Sequence, residues 1–213
     1  RIAKMTGIAP ESGKRPSIVP FRGEYFELRP EARSLVNHLI YPVPDPSFPF
    51  LGVHFTRMVD ADEHGHHVEC GPNAVLAFAR EGYTKTTVNP GELAEVLASG
   101  SFWKLAVRHW KTGLGEMHRS WSKAAFTKAL QRLLPAITAD DLVPAQAGVR
   151  AQALGPGGKL LDDFAIEQNG PIVNVINAPS PAATASLAIA ERICDLIHGE
   201  SEAEGRRATA LAS

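Results

Sequence analysis

The chain has 213 residues, 44% hydrophobic and 21% charged, which is the composition of one globular domain or two small ones. With 22 basic against 23 acidic side chains and a formal net charge of −1, it is not built around nucleic acid or an anionic surface. Its 18 glycines and 16 prolines are too few for a fibrous or largely disordered chain.

In chain order, residues 1–10 carry Ile2, Met5 and Ile8 at helical spacing and run into Gly7 and Pro10, the tail of an amphipathic helix. The run 18–28 settles into strand alternation, and 38–43 reads as a second short strand where Pro42, Pro44, Pro46 and Pro49 exclude helix. Residues 51–59 alternate again, with Val53 and Phe55 on one face and His54 on the other. Residues 68–71 are placed to return antiparallel, with 61–67 (ADEHGHH) as a polar hairpin loop. Residues 90–134 turn helical from Pro90, with Glu92 and Glu95 suited to the first-turn dipole, and Trp103, Trp110 and Trp121 read as packing residues. Thr138 is a cap before Asp140 and Asp141.

Strands follow at 148–154 and 163–167, and Asn169-Gly170 is a hairpin turn into 172–176. Asn177-Ala178-Pro179-Ser180-Pro181 then leads into a helix from about 182 to 197, and 199–213 read as a frayed tail. Strands, then helices, then strands with one helix make the fold class α+β. Cys70 and Cys194 read as small buried hydrophobes rather than a disulfide pair. No apolar run reaches the roughly 20 residues of a membrane span, and 1–10 contain no signal-peptide core, so cytoplasm is the default expectation.

Three places can carry chemistry. The strand–turn–helix at 172–197 ends in small residues at a helix start, which attracts anions; the alternative is that Ser180 merely caps the helix. Arg150, on a strand of small and apolar residues, is either paired with an acid or a fork for a carboxylate or phosphate. His54 is either a satisfied core histidine or a proton acceptor in a cleft, and Tyr25 and Tyr41 read as core or rim aromatics. The group Glu63, His64, His66, His67, Glu69 and Cys70 lacks metal-ligand spacing and reads as a solvated loop.

Several strings occur together: PFRGEYFELRP (20–30), LVNHLIYPVPDPSFPFLGVHFTRMVD (35–60), GPNAVLAFAREGY (71–83), GVRAQAL (148–154), GKLLDDF (158–164) and NAPSPAATASLAIAERI (177–193). In this order they resemble the L-2-hydroxyglutarate oxidase/dehydrogenase family of D-amino-acid-oxidase-like flavoenzymes, over nearly the whole chain to about residue 197. The resemblance implies FAD as cofactor and oxidation of a 2-hydroxy dicarboxylate to a 2-oxo acid, with hydride passing to the flavin. An amino-acid or other 2-hydroxy-acid oxidase, and a non-catalytic binding module, are the alternatives.

By the same resemblance Arg150 binds the substrate carboxylate, and Tyr41, close to His54, is a further substrate-binding residue. His54 is the base or a second carboxylate contact, a histidine outside these residues being the alternative base. Asn177, Ala178, Pro179, Ser180, Pro181, Ala182, Ala183 and Thr184 lie beside the flavin, where the start of the following helix favours negative charge.

No GxGxxG is present, and Gly155-Pro156-Gly157-Gly158 precedes no helix. Together with Arg1 in place of Met, this gives the expectation of a C-terminal portion lacking the nucleotide-binding start. The expected division is 1–15 as the end of an FAD-binding segment and linker, and 16–147 as a substrate domain of antiparallel or mixed sheet with helices. Residues 148–198 are then the return into a Rossmann-like FAD domain, and 199–213 a flexible tail. The electron acceptor is not identified by the resemblance, which leaves room for peripheral membrane association of the full-length enzyme. The loop at 61–67 is longer than the family's usual turn and reads as a local insertion.

Overall fold

The computed structural model describes residues 2–8, 13, 15–43, 52–161, 163–170, 172–178 and 182–197. Its elements are α1 (Ile2–Met5), β1 (Ser17–Gly23), β2 (Phe26–Leu28), a 3-10 turn (Pro30–Leu35), β3 (His54–Asp62), β4 (Gly65–Gly71) and β5 (Val75–Leu76). Then come α2 (Pro90–Leu97), α3 (Gly100–Arg108), α4 (Trp110–Trp121), α5 (Lys123–Leu130), a second 3-10 turn (Ala139–Asp141), β6 (Leu142–Pro144), β7 (Gly148–Leu154), β8 (Ala165–Asn169) and β9 (Ile172–Asn177). A last helix, α6, spans 186–197. The sheets run β5-β1-β7, β3-β4-β2-β6 and β8-β9. This is the mixed helix and antiparallel sheet arrangement expected of an α+β chain.

The chain divides into two compact units, Arg1–Ser17 with Gln152–Ser213, and Ile18–Ala151. The core of the second unit lies under one face of the four-stranded sheet. Phe55, Val68, Cys70 and Leu28 point inward from the strands onto Phe126 and Leu130 of α5, with Val36, Ile137 and Leu142 closing the edges. Phe26 meets Phe126 with ring centroids 4.8 Å apart. Each fully buried Phe or Leu is worth about 1.5–3 kcal/mol of transfer free energy. In the first unit Ala153, Leu154 and Leu160 are buried, Asn174 Nδ2 donates to Thr6 Oγ1 at 3.0 Å, and Arg15 pairs with Glu167 at 3.1 Å.

Local chemistry explains where the structure departs from the pattern. The run 18–28 breaks at Glu24-Tyr25 into strands of two different sheets. Glu24 causes the break by accepting from Arg22 at 3.0 Å, Asn73 Nδ2 at 3.0 Å and Ser120 Oγ at 2.9 Å. Residues 38–43 form no strand: only Ile40 bridges, exchanging backbone hydrogen bonds with Phe55, because Pro42 beyond it has no N–H to continue the ladder. The expected loop at 61–67 is instead nearly all strand, turning through Glu63 and His64, with Gly65 at φ +98° where a side chain would be strained.

The helical stretch 90–134 is divided into four helices. Each restart has its own cap: Asn89 accepts from the N–H groups of Gly91 and Glu92, Ser99 from Phe102 and Ser122 from Ala125. Thr138 and Asp141 form the expected cap, here as a capping box on a 3-10 turn. The tryptophans do not pack inward: Trp103, Trp110 and Trp121 are 52%, 56% and 73% exposed. Cys70 is buried as expected, but Cys194 is exposed, and both are free thiols. α6 starts at 186, after a turn at 182–185.

Candidate active site

The face of the four-stranded sheet turned away from the core gathers polar groups. Strand alternation sends Val53 and Phe55 inward and therefore His54 and Thr56 outward; likewise Val68 and Cys70 point in, and His67 and Glu69 out. The register sets His54 opposite Gly71, Thr56 opposite Glu69, and Glu27 of β2 opposite Glu69 on its other side. Gly71, at φ +137°, admits no side chain, since a Cβ there would lie 2.9 Å from the Glu24 carbonyl oxygen. The chain around Tyr25 can thus close on the strand.

Tyr41, from the segment bridged to Phe55, stacks on His54 with centroids 4.2 Å apart and planes at 20°, and its hydroxyl shares a 3.2 Å hydrogen bond with Thr56 Oγ1. His54 Nδ1 lies 3.0 Å from the Gly52 carbonyl oxygen. A carbonyl only accepts, so in the neutral ring Nδ1 carries the proton and Nε2 keeps its lone pair. Burial pushes the His54 pKa below the usual imidazole range, against the opposing pull of the Gly52 bond, so the neutral ring prevails at neutral pH.

Tyr25 links this group to Arg150. Its phenol feels Glu69, the Arg150 guanidinium and Tyr41, and its ring lies beside β7, 3.9 Å from where a Cβ on Gly148 would stand. Burial first and Glu69 second push the Tyr25 pKa up, outweighing the downward pull of Arg150, so the phenol stays protonated as a donor. Burial, then Glu27 and Asp60, push the Glu69 pKa up as well. The outer face of the four-stranded sheet thus offers an imidazole with a lone pair, and beside it the protonated Tyr25 phenol stands in the field of Arg150 from β7, groups suited to removing a proton and to holding an anion.

His54 and Tyr41 are therefore brought into contact, whereas Arg150, exposed on β7, is linked to them through its field on Tyr25. Sequence reasoning missed Tyr25, Thr56 and Glu69. The alternation that exposed His54 was the signal for Thr56, and the buried Val68 and Cys70 on either side were the signal for Glu69.

At 177–184, which belongs to the other unit, Asn177 is buried and its Nδ2 donates to the carbonyls of Leu161 at 3.1 Å and Asp163 at 2.8 Å, pinning the end of β9. Ala178, Ala183 and Thr184 are exposed, and Ala182 is half-buried. Ser186 N–H donates to Ala183 O at 3.3 Å as α6 begins. Pro179, Ser180 and Pro181 lie outside the described residues.

At the far end of the β3–β4 hairpin Arg33 donates to Asp62 at 2.7 Å and to His67 Nδ1 at 3.2 Å, and His67 stands 3.7 Å from Glu27. The hydrogen bond from Arg33 holds the Asp62 carboxyl below the usual carboxylate range. Among the described residues no three His, Cys, Asp or Glu side chains are disposed to hold a metal ion. A separate cavity of about 420 Å³ is lined by Phe21, Leu76, Phe102, Leu105, Trp110, Leu114 and Met117 with His109 and Glu116. None of the clustered residues lines it, and Glu116 is already engaged by the Ala74 N–H and Arg119.

A family model described as FAD dependent oxidoreductase (DAO) matches residues 3–196. A protein of Indibacter alkaliphilus named L-2-hydroxyglutarate dehydrogenase is 57% identical over 178 residues, covering 84% of this chain and 43% of that protein. One of the same name from Escherichia coli K12 is 47% identical over 193 residues, 91% of this chain and 44% of its own length. A Nematostella vectensis protein named L-2-hydroxyglutarate dehydrogenase, mitochondrial, is 49% identical over 195 residues, 88% of this chain and 42% of its own. The chain spans less than half the length of these relatives.

Proposed function

The chain belongs to the DAO family of FAD dependent oxidoreductases, and on that premise we propose that the whole protein oxidises L-2-hydroxyglutarate to 2-oxoglutarate. The unit Ile18–Ala151 is the substrate domain, and the unit that holds β8, β9 and α6 is part of a Rossmann-like FAD domain. The names of the relatives favour a hydroxy acid over an amine and an enzyme over a binding module.

What carries the reading within this chain is His54, tied through Nδ1 to Gly52 so that Nε2 keeps the lone pair of a base. Arg150 holds the substrate carboxylate by a two-pronged contact, and the Tyr25 phenol beside it donates to the same anion. His54 Nε2 takes the proton of the substrate hydroxyl, and Tyr41, stacked on the imidazole and held by Thr56, contacts the substrate while keeping the ring in place. FAD supplies the acceptor for the hydride that leaves the α-carbon. The small, exposed Ala178, Ala183 and Thr184 at the start of α6 leave the open approach that a flat ring system needs, and the 177–184 segment would hold the flavin there.

Electrons then pass to an acceptor outside this chain. Peripheral contact of the whole protein with a membrane is part of the same proposal, supported by exposed Trp103 and Trp110 beside Lys104 and Lys111. No described helix is long and apolar enough to cross one.

The full-length protein is expected to purify yellow and to reduce a redox dye when given L-2-hydroxyglutarate. A colourless protein, or a yellow one inert to that substrate, overturns the reading, and ammonia released from an amino acid would point to an amine oxidase instead.

A further inference from the structure

We propose that Glu69 sets the charge rule of this site: a dicarboxylate binds only as Glu69 takes up a proton, so ligand binding and proton uptake are coupled. The inference deepens the 2-hydroxy-dicarboxylate reading and rests on it.

The register carries the argument. Glu69 stands directly opposite Glu27 across the β4–β2 pairing and opposite Thr56 across β4–β3, on the face turned from the core. Like charges directly opposite one another destabilise a sheet, and a sequence keeps such a conflict mainly where function requires it. Three other acids among the described residues are each held by an arginine: Glu24 by Arg22, Glu116 by Arg119 and Glu167 by Arg15. Among the described residues, Glu27 and Asp60 act on Glu69, and Glu69 acts in turn on the Tyr25 phenol, which also feels Arg150 and Tyr41; His67, two residues before Glu69 on β4, stands 3.7 Å from Glu27.

Arg150 therefore meets a dianionic ligand in the presence of two carboxylates, Glu27 and Glu69. A 2-hydroxy or 2-oxo dicarboxylate with one carboxylate on Arg150 carries its second only three carbons away, within reach of the same floor. Ionised, Glu69 repels that group; protonated, it removes the repulsion and offers an O–H donor. Burial between Glu27 and Asp60 already favours the protonated form. The proton comes from solvent and rests on a Glu69 carboxyl oxygen while the ligand is bound. A monocarboxylate needs no such uptake, since it brings no second charge toward Glu69.

The test is calorimetric titration of the full-length, FAD-loaded protein with 2-oxoglutarate, in buffers of different ionisation heat. Near neutral pH the wild type is expected to take up close to one proton per ligand, and the uptake fades as pH falls toward the ordinary carboxylate range of about 4. Glu69→Gln abolishes the uptake and tightens 2-oxoglutarate about fivefold at neutral pH, while 2-oxobutyrate binds both proteins without proton exchange. Binding of 2-oxoglutarate with no proton uptake overturns this inference alone. Uptake that survives in Glu69→Gln but vanishes in His67→Asn moves the proton to His67 and also overturns it. Failure of 2-oxoglutarate to bind the loaded protein at all overturns the dicarboxylate reading with it.

Discussion

The two faces of the four-stranded sheet are built by the same strands and the same alternation, yet they obey opposite rules. On the inner face Phe55, Val68, Cys70 and Leu28 are almost completely buried against α5, and each side chain is satisfied by packing alone. On the outer face Thr56, Glu69 and Glu27 share one rung and His54 lies two residues before Thr56 on β3, but acid faces acid and a histidine is held below its usual pKa. The inner face minimises free energy, whereas the outer face tolerates electrostatic conflict and holds polar groups in fixed positions. The comparison teaches that rigidity bought on one side of a sheet fixes the geometry of poised groups on the other.

Substitutions on the two faces should separate these rules. The largest expected effect is His54→Gln in the full-length enzyme, with kcat/KM down about 10²–10⁴-fold by loss of the base and a melting temperature near that of the wild type. Equal loss of stability and rate would put His54 with the structural face. In the wild type, protonating Nε2 removes the lone pair, so kcat/KM should fall toward low pH. Because burial lowers the His54 pKa, that limb should lie below the ordinary imidazole value of 6.5, readable from a pH–rate profile.

On the inner face Phe55→Ala should cost about 3–5 kcal/mol of unfolding free energy, measured by denaturant titration. Arg150→Ala should raise KM about 100-fold, on the scale of a charged hydrogen bond, with little change in stability; an unchanged KM removes Arg150 from the site. The smallest effect is thermal. Glu69 has a raised pKa in the fold, so its charged form opposes folding above the unfolded carboxylate range and its protonated form does not. Glu69→Gln should therefore raise Tm slightly near neutral pH and leave it unchanged near about pH 4.

Much of the inner face was legible from residue order, because apolar residues at every second position leave few choices. The strand Gly148–Leu154, the Asn169-Gly170 turn and the Thr138 cap fall where local chemistry places them. The outer face was legible only in part. His54 stands out beside Val53 and Phe55, but the pairing of Glu69 with Glu27 joins residues 42 positions apart through a register that no local pattern contains. Tyr25 reads as a strand aromatic until the break at Glu24 turns it toward β7. The tryptophans mislead for another reason: helical spacing gathers residues on one side of a helix without saying whether that side is in or out.

The contrast between the two thiols has a practical side. The sequence holds two cysteines, and burial with Glu27 and Glu69 nearby pushes the Cys70 thiol pKa far up while Cys194 lies open on α6. A maleimide dye added to the native chain should therefore attach at one position, just over two turns along the helix that begins at 186. That makes this chain self-addressing for optical work: a fluorophore at Cys194 would report on the arrival of a coloured ring system nearby through loss of its emission, with no engineered handle required.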